Sequence, residues 1–155
     1  MTTAPSPSTS PSPVPLLDGR TIGIAYHAIA AVRDRLLASH GLTFHRSVAL
    51  KAIADGLDRA GAVDRVAATL KIDPARAHTL LDELTDAGLL AGARPSLTDR
   101  GAELQRAFTD AVAALTERLY GDLPASEREV AARALTHVTA RADTELAAPA
   151  PARPA

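Results

Sequence analysis

The chain has no cysteine, and this absence excludes disulfide bonds, thiolate catalysis and cysteine-ligated zinc. It has no uninterrupted apolar run of about eighteen residues, so the sequence predicts no membrane span. The amino terminus lacks a basic region followed by an apolar run, and we therefore expect no signal peptide. These absences favour a soluble, cytoplasmic protein.

The chain also lacks a charge excess of either sign, since its formal net charge is −1. A strongly basic chain would indicate a polyanion partner, and this one does not. Residues 43–101 contain eight Lys or Arg and eight Asp or Glu. Affinity for DNA depends on where charges lie and not only on their sum, so DNA binding stays open.

Catalytic motifs are missing as well. There is no nucleophile elbow, no Gly-rich phosphate loop and no HExxH sequence. No two of the five histidines form a His-x3-His pair. We therefore expect no enzyme activity, no cofactor and no metal site.

Proline and small residues dominate the two ends of the chain. The first fifteen residues contain five Pro and no charge, and residues 147–155 are almost entirely Ala and Pro. Such segments bury too little apolar surface to offset their ordering entropy. We expect disordered tails at 1–15 and 147–155 around one domain at 16–146.

The most informative segment is Val63–Leu90, whose pattern predicts two helices joined by a turn at Lys71–Asp73. Asp73 and Pro74 are typical of a helix start, because a carboxylate caps free N–H groups and Pro suits the first helical position. The second helix carries an apolar stripe and ends at Ala87-Gly88. This is helix-turn-helix geometry, with a polar face able to enter a DNA major groove. Its stripe comprises Ala77, Leu80, Leu81 and Leu84.

The remaining pattern is also mainly helical. We expect helices at about 17–39, 99–120 and 124–146, and a helix capped by Thr43 that buries Val48, Leu50, Ile53 and Leu57. Gly41 suits a left-handed cap and Thr98 a helix start. The last helix has two possible starts, a capping box at Ser126–Glu129 or a cap at Asp122 with Pro124 in the first turn. Only Leu89–Leu97 is β-prone, and it is short.

The long terminal helices carry more apolar surface than the small central core needs. Such surface usually packs against a partner, and a symmetric homodimer is the commonest arrangement. A monomeric helical bundle is the alternative.

Residues 16–146 resemble the MarR family of winged-helix transcription regulators. The resemblance lies in the order and spacing of five segments: Gly41–Thr43, Leu70–Pro74, Leu84–Leu90, Leu97–Gly101 and Leu123–Glu129. It implies a mainly α fold, a winged helix-turn-helix lobe at about 43–97 with a short, reduced β-wing, and long terminal dimerisation helices. It also implies a homodimer that binds double-stranded DNA, with a small-molecule effector pocket between the two regions.

The chain departs from the family pattern at the predicted DNA contacts. Gly61-Ala62 stands where a phosphate-binding hydroxyl is common, at the expected start of the helix Val63–Leu70. Thr79 replaces a frequent Arg, and the wing is short, with Arg94 as its one basic residue. Two functions therefore stay open: a ligand-modulated regulator that binds a pseudo-palindromic operator, or a module of the same fold that has lost strong DNA binding and binds proteins or ligands.

Candidate site residues follow from the predicted faces. Arg76 is the best base reader, since its guanidinium fork matches the O6 and N7 atoms of guanine. Asp82 lies on the same face and either opposes DNA electrostatically or contacts cytosine. The other candidate DNA contacts are Ala75, His78, Thr79, Lys71, Arg46 and Arg94, and the candidate pocket residues are His27, His40 and His45.

Overall fold

The computed structural model describes residues 17–148, which form six helices and one two-stranded antiparallel sheet. The predicted tails lie outside these residues, apart from Ala147 and Ala148. The described residues divide into two compact units, one ending at Phe108 and one beginning at Thr109. The elements are α1 (Gly19–Ser39), α2 (Phe44–Ala54), α3 (Arg59–Leu70), α4 (Pro74–Asp86), β1 (Leu90–Ala91), β2 (Ser96–Leu97), α5 (Asp99–Tyr120) and α6 (Ala125–Ala147).

The core of the first unit lies between α2, α3 and α4, and the strands close it from one side. All four residues of the predicted α4 stripe are buried, which confirms that prediction. On α2, Leu50 and Ile53 are buried as expected, whereas Val48 and Leu57 are only partly buried, and Leu57 follows the end of the helix. The core residues are Ala49, Leu50, Ala52, Ile53, Ala62, Val63, Val66, Ala77, Leu80, Leu81, Leu84, Leu89 and Leu90.

Side-chain caps begin the helices of this unit. Thr43 Oγ1 accepts a hydrogen bond from Arg46 N at 3.3 Å, and Asp73 Oδ1 accepts one from Arg76 N at 3.0 Å. Both caps were predicted from the sequence, and both satisfy an N–H group that has no partner inside the helix. Gly41 follows α1 with a φ of +65°, which confirms the predicted left-handed cap.

One predicted helix start is wrong, and so are both caps proposed for the last helix, although α6 begins within one residue of the predicted position 124. α3 begins at Arg59 and not at Val63, because Asp58 Oδ1 accepts from Gly61 N at 2.9 Å and so caps the helix earlier. Gly61 and Ala62 therefore lie within the first turn of α3. α6 begins at Ala125 after Pro124, without any side-chain cap, so neither the capping box at Ser126 nor the Asp122 cap forms.

The short β-wing of the prediction is present. Leu90 pairs with Leu97 and Ala91 with Ser96, and four residues join the strands. Thr98 ties the base of this hairpin to α5, since its hydroxyl donates to the Gly88 carbonyl at 2.8 Å and accepts from Gly101 N at 3.0 Å. The predicted cap of α5 by Thr98 is therefore confirmed.

The second unit contains the end of α5 and all of α6, and no residue of α6 is buried. Its exposed apolar side chains are Val112, Leu119, Leu123, Val130, Leu135, Val138 and Leu146. In the first unit α1 also exposes apolar side chains, namely Ile24, Tyr26, Ile29 and Val32. Within residues 17–148, no helix is both long enough and apolar enough to cross a bilayer.

Candidate nucleic-acid interface

Helix α4 presents one buried face and one solvent-exposed face. Asp73 caps it, Pro74 occupies its first position, and Gly88 follows its end with a φ of +70°. The buried stripe of α4 packs on α2 and α3, which fixes the rotation of the helix about its axis. The side chains between the stripe positions must therefore point to solvent.

The exposed face contains the residues that the sequence placed there. Ala75, Arg76, His78, Thr79 and Asp82 are all exposed. Thr79 Oγ1 donates to the Ala75 carbonyl one turn earlier, at 3.1 Å, so its hydroxyl is already engaged with the helix backbone.

Two arginines of the predicted interface share one carboxylate. Arg76 Nη1 donates to Glu83 Oε1 at 2.9 Å, and Arg46 Nε donates to Glu83 Oε2 at 3.1 Å. The exposed fractions of these side chains are 46% for Arg76, 34% for Arg46 and 30% for Glu83. Hydrogen bonds and charge from Arg76, and then from Arg46, hold the pKa of Glu83 below its usual value of 4.5. Glu83 is therefore ionised at neutral pH, and it links α4 to Arg46 of α2 while also binding Arg76 in the first turn of its own helix.

A second ion pair lies on the same helix. Arg59 Nη2 donates to Asp82 Oδ1 at 2.6 Å, which connects the start of α3 to α4. Arg59 was not among the predicted contacts, and it neutralises the acidic residue that opposed the DNA-binding interpretation. The exposed face of α4 is therefore less acidic than its sequence suggested.

The other predicted phosphate contacts lie at turns. Lys71 ends α3 in the left-handed region, with a φ of 55°, and is exposed. Arg94 is exposed in the loop between β1 and β2. Gly92 opens that loop with a φ of +89°, and a Cβ there would lie 3.2 Å from the Arg94 carbonyl oxygen. The tight turn at Gly92 therefore determines where Arg94 sits.

A cavity of about 710 Å³ lies beside this interface, between α1, α2 and α4. Its wall contains Arg46, Arg76 and Glu83, so the candidate base reader, Arg76, also lines the cavity. Arg33 stacks over the ring of Phe44, with 3.9 Å between the guanidinium carbon and the ring centroid. The remaining lining residues are Tyr26, Asp34, Leu37, Leu42, Thr43, His45 and Leu80.

The three predicted pocket histidines do not lie together. His45 lines the cavity. His40 packs edge-on against Phe108, with ring centroids 5.7 Å apart, and its Nδ1 lies 2.9 Å from the Leu36 carbonyl. His27 is exposed on α1 beside Tyr26. Only His45 is therefore placed to contact a ligand in this cavity.

Solved structures share this arrangement of helices and wing. MepR of S. aureus, in complex with DNA, matches with a TM-score of 0.67 and 18% identity, over 82% of this chain and 98% of its own. The MarR family protein Rv2887 of Mycobacterium tuberculosis, in complex with DNA, matches with a TM-score of 0.62 and 24% identity, over 81% of this chain and 98% of its own. The chain has the MarR-type winged-helix fold.

A third structure with this fold holds a small molecule. CouR from Rhodococcus jostii RHA1, bound to p-coumaroyl-CoA, matches with a TM-score of 0.67 and 20% identity, over 77% of this chain and 90% of its own. No family model and no curated protein sequence matches the chain. The likeness is therefore one of fold, and the MarR-type resemblance of the sequence is confirmed at that level.

Besides Arg59, sequence reasoning missed Glu83. Its signal was the spacing of seven residues from Arg76, which places the two side chains two turns apart on one side of α4. The contact between Glu83 and Arg46 had no signal in the sequence, because these residues are 37 positions apart.

Proposed function

We propose that this protein is a DNA-binding transcription regulator that acts as a homodimer and is modulated by a small-molecule effector. The observation that carries the proposal is α4, which packs its apolar stripe in the core, leaves its polar face to solvent and is followed by a wing. Two such helices, roughly 34–36 Å apart in a dimer, would bind a pseudo-palindromic operator. The DNA complexes of MepR and Rv2887 support this use of the fold.

The residue roles in this proposal follow the placement of the side chains. Arg76 reads a base edge, Ala75, His78 and Thr79 lie against the groove, and Lys71, Arg46 and Arg94 contact phosphates. The lobe at about 43–97 binds DNA, while the helices at about 17–39, 99–120 and 124–146 form the dimer. The proposed protein works in the cytoplasm and carries out no enzymatic reaction.

The effector would occupy the cavity beside His45, whereas the other two predicted pocket histidines, His27 and His40, do not line it. An effector shifts the occupancy of the operator only as far as it binds one conformation of the dimer better than the other. The complex of CouR with p-coumaroyl-CoA supports a ligand site in a protein of this fold.

A second function is favoured by a specific observation. Both arginines nearest the exposed face of α4 are paired with Glu83, and the wing is short. A module of this fold that binds a protein or a ligand, without strong DNA binding, would tolerate both features.

The salt dependence of DNA binding separates the two functions. The probe is a fluorescent duplex that the full chain selects from a randomised library. Its affinity is measured by titration at several salt concentrations between about 50 and 200 mM, a range over which phosphate contacts change affinity strongly. If both protomers place Lys71, Arg46 and Arg94 on phosphates, the slope of log K against log salt is about −5, since each contact contributes about −0.9. A slope near zero, or no selection of any duplex, would contradict the regulator and favour the second function.

A further inference from the structure

The hydrogen bonds around Glu83 leave its two arginines with unused donors. Arg76 gives Glu83 one bond, from Nη1, and within the described residues its Nε and Nη2 make no hydrogen bond. Arg46 donates to Glu83 from Nε, and within the described residues its two terminal nitrogens, Nη1 and Nη2, make no hydrogen bond. Each guanidinium therefore holds the carboxylate with one edge and keeps another edge for a ligand.

The open edge of Arg76 has the geometry that guanine needs. The Nε–Nη2 edge is a planar pair of donors, and the O6 and N7 atoms of guanine accept from such a fork. Arg76 is 46% exposed and lies in the first turn of α4, and within the described residues no hydrogen bond occupies this edge. The bond to Glu83 and a bidentate bond to a base are therefore compatible.

We propose that Glu83 is a positioning residue, which holds Arg76 in the orientation that reads a base while Arg46 holds Glu83 from the neighbouring helix. The inference rests on the proposed DNA-binding function and adds a determinant of sequence preference. A free arginine loses rotamer freedom when it binds a base, and an arginine already held by a carboxylate loses less.

The charge of Glu83 strengthens the same preference. A carboxylate at the interface repels the phosphates of any duplex, whatever its sequence. Only a duplex with guanine at the right position compensates for that repulsion through Arg76. Glu83 therefore favours the operator and disfavours other DNA. Removal of the carboxylate is expected to lower the affinity for the operator and to raise the affinity for other DNA.

The test is Glu83→Gln in the full chain, titrated against the selected duplex and against a scrambled duplex of equal length. Affinity for the selected duplex is expected to fall about five- to thirtyfold, part of the discrimination that a bidentate arginine–guanine pair provides. Affinity for the scrambled duplex is expected to rise about twofold, because one negative charge per protomer is lost. Glu83→Ala has a larger effect on the selected duplex, since the Gln amide oxygen still accepts one bond.

Two controls isolate the contact. Asp86→Asn removes the same charge from α4 at a residue that makes no contact with either arginine among the hydrogen bonds and ion pairs of the described residues. It is expected to change both affinities equally and slightly. In an Arg76→Ala background, Glu83→Gln is expected to raise the affinity for both duplexes by the same factor of about two. Only the electrostatic effect of the lost charge remains there, because the residue that Glu83 positions is gone.

Every outcome decides the inference. Equal losses on both duplexes, together with a lower melting temperature, indicate a purely structural role and overturn it. Equal gains in affinity for both duplexes indicate a general electrostatic effect and overturn it as well. It is also overturned if the wild type binds selectively and Glu83→Gln leaves both affinities unchanged. If the wild type binds neither duplex, the proposed function fails and the inference fails with it, whereas selective wild-type binding with an unaffected Glu83→Gln variant removes the inference alone.

Discussion

In the proposed complex with DNA, single residues would have one of two roles, binding the phosphates of any duplex or distinguishing one sequence from another. Arg94, at the tip of the wing, offers a charge that any phosphate accepts. Arg76 offers an oriented fork from a helix whose rotation is fixed by its buried stripe. The two arginines therefore contribute to different terms of the binding free energy.

We predict that Arg76→Ala weakens binding of the selected duplex by about 1–3 kcal/mol and relaxes the preference at one base pair. The measurement is a titration against all single-base variants of that duplex. Arg94→Ala is the matched control, and it is expected to weaken binding of every variant alike and to flatten the salt slope by about 0.9 for each lost contact. A uniform loss for Arg76→Ala would remove Arg76 from the role of base reader.

Among the elements, the wing and α5 meet at a close approach of backbone to backbone. A Cβ on Gly101 would lie 2.1 Å from the carbonyl oxygen of Leu89, which is backbone and cannot rotate away. The same carbonyl accepts a hydrogen bond from Thr98 N at 3.1 Å. The wing and the start of α5 can therefore approach this closely only because residue 101 is glycine and has no side chain.

We predict that Gly101→Ala lowers the free energy of unfolding by about 1–3 kcal/mol, because the added methyl group must displace the backbone of the hairpin. Urea denaturation followed by circular dichroism measures the change. Gly19→Ala is the control, since a Cβ at Gly19 meets nothing within 4 Å, and its effect is expected to stay within about 0.5 kcal/mol. Equal stability of the two variants would show that the hairpin adjusts without strain.

The ends of the helices show which element boundaries can be predicted from the sequence. Asp73-Pro74 specifies the start of α4 without help from distant residues, because the cap is local. At α3 an equally local cap was missed, since Asp58 lies four residues before the apolar pattern begins at Ala62-Val63. At α6 two plausible caps were present in the sequence, and the helix uses neither.

On the scale of the whole molecule, apolar surface remains uncovered in both units. α1 exposes Tyr26 and Ile29, and α6 exposes Val130, Leu135 and Val138. Exposed apolar side chains that recur along a helix are typical of a surface that a partner covers. A second copy of the chain is the partner that the proposed function requires.

We predict that the purified protein has twice the mass of one chain in light scattering, and that Leu135→Glu shifts it toward the mass of a single chain. Introducing a charge into a buried apolar contact between protomers strongly disfavours that contact. Thr136→Glu adds the same charge at the next residue of α6 and is expected to leave the dimer intact. A wild type that runs as a single chain at micromolar concentration would contradict the dimer.

Local sequence patterns suffice to predict the helical fold, the polar face of α4 and the position of the wing, because caps, apolar spacing and glycine turns act between residues that are neighbours along the chain. The packing of the helices was needed to show three further contacts. Arg46 and Arg76 meet at Glu83, Arg59 pairs with Asp82, and of the three candidate pocket histidines His45 lines the cavity. These contacts join different helices, and their geometry depends on how α2, α3 and α4 pack, which no local pattern specifies.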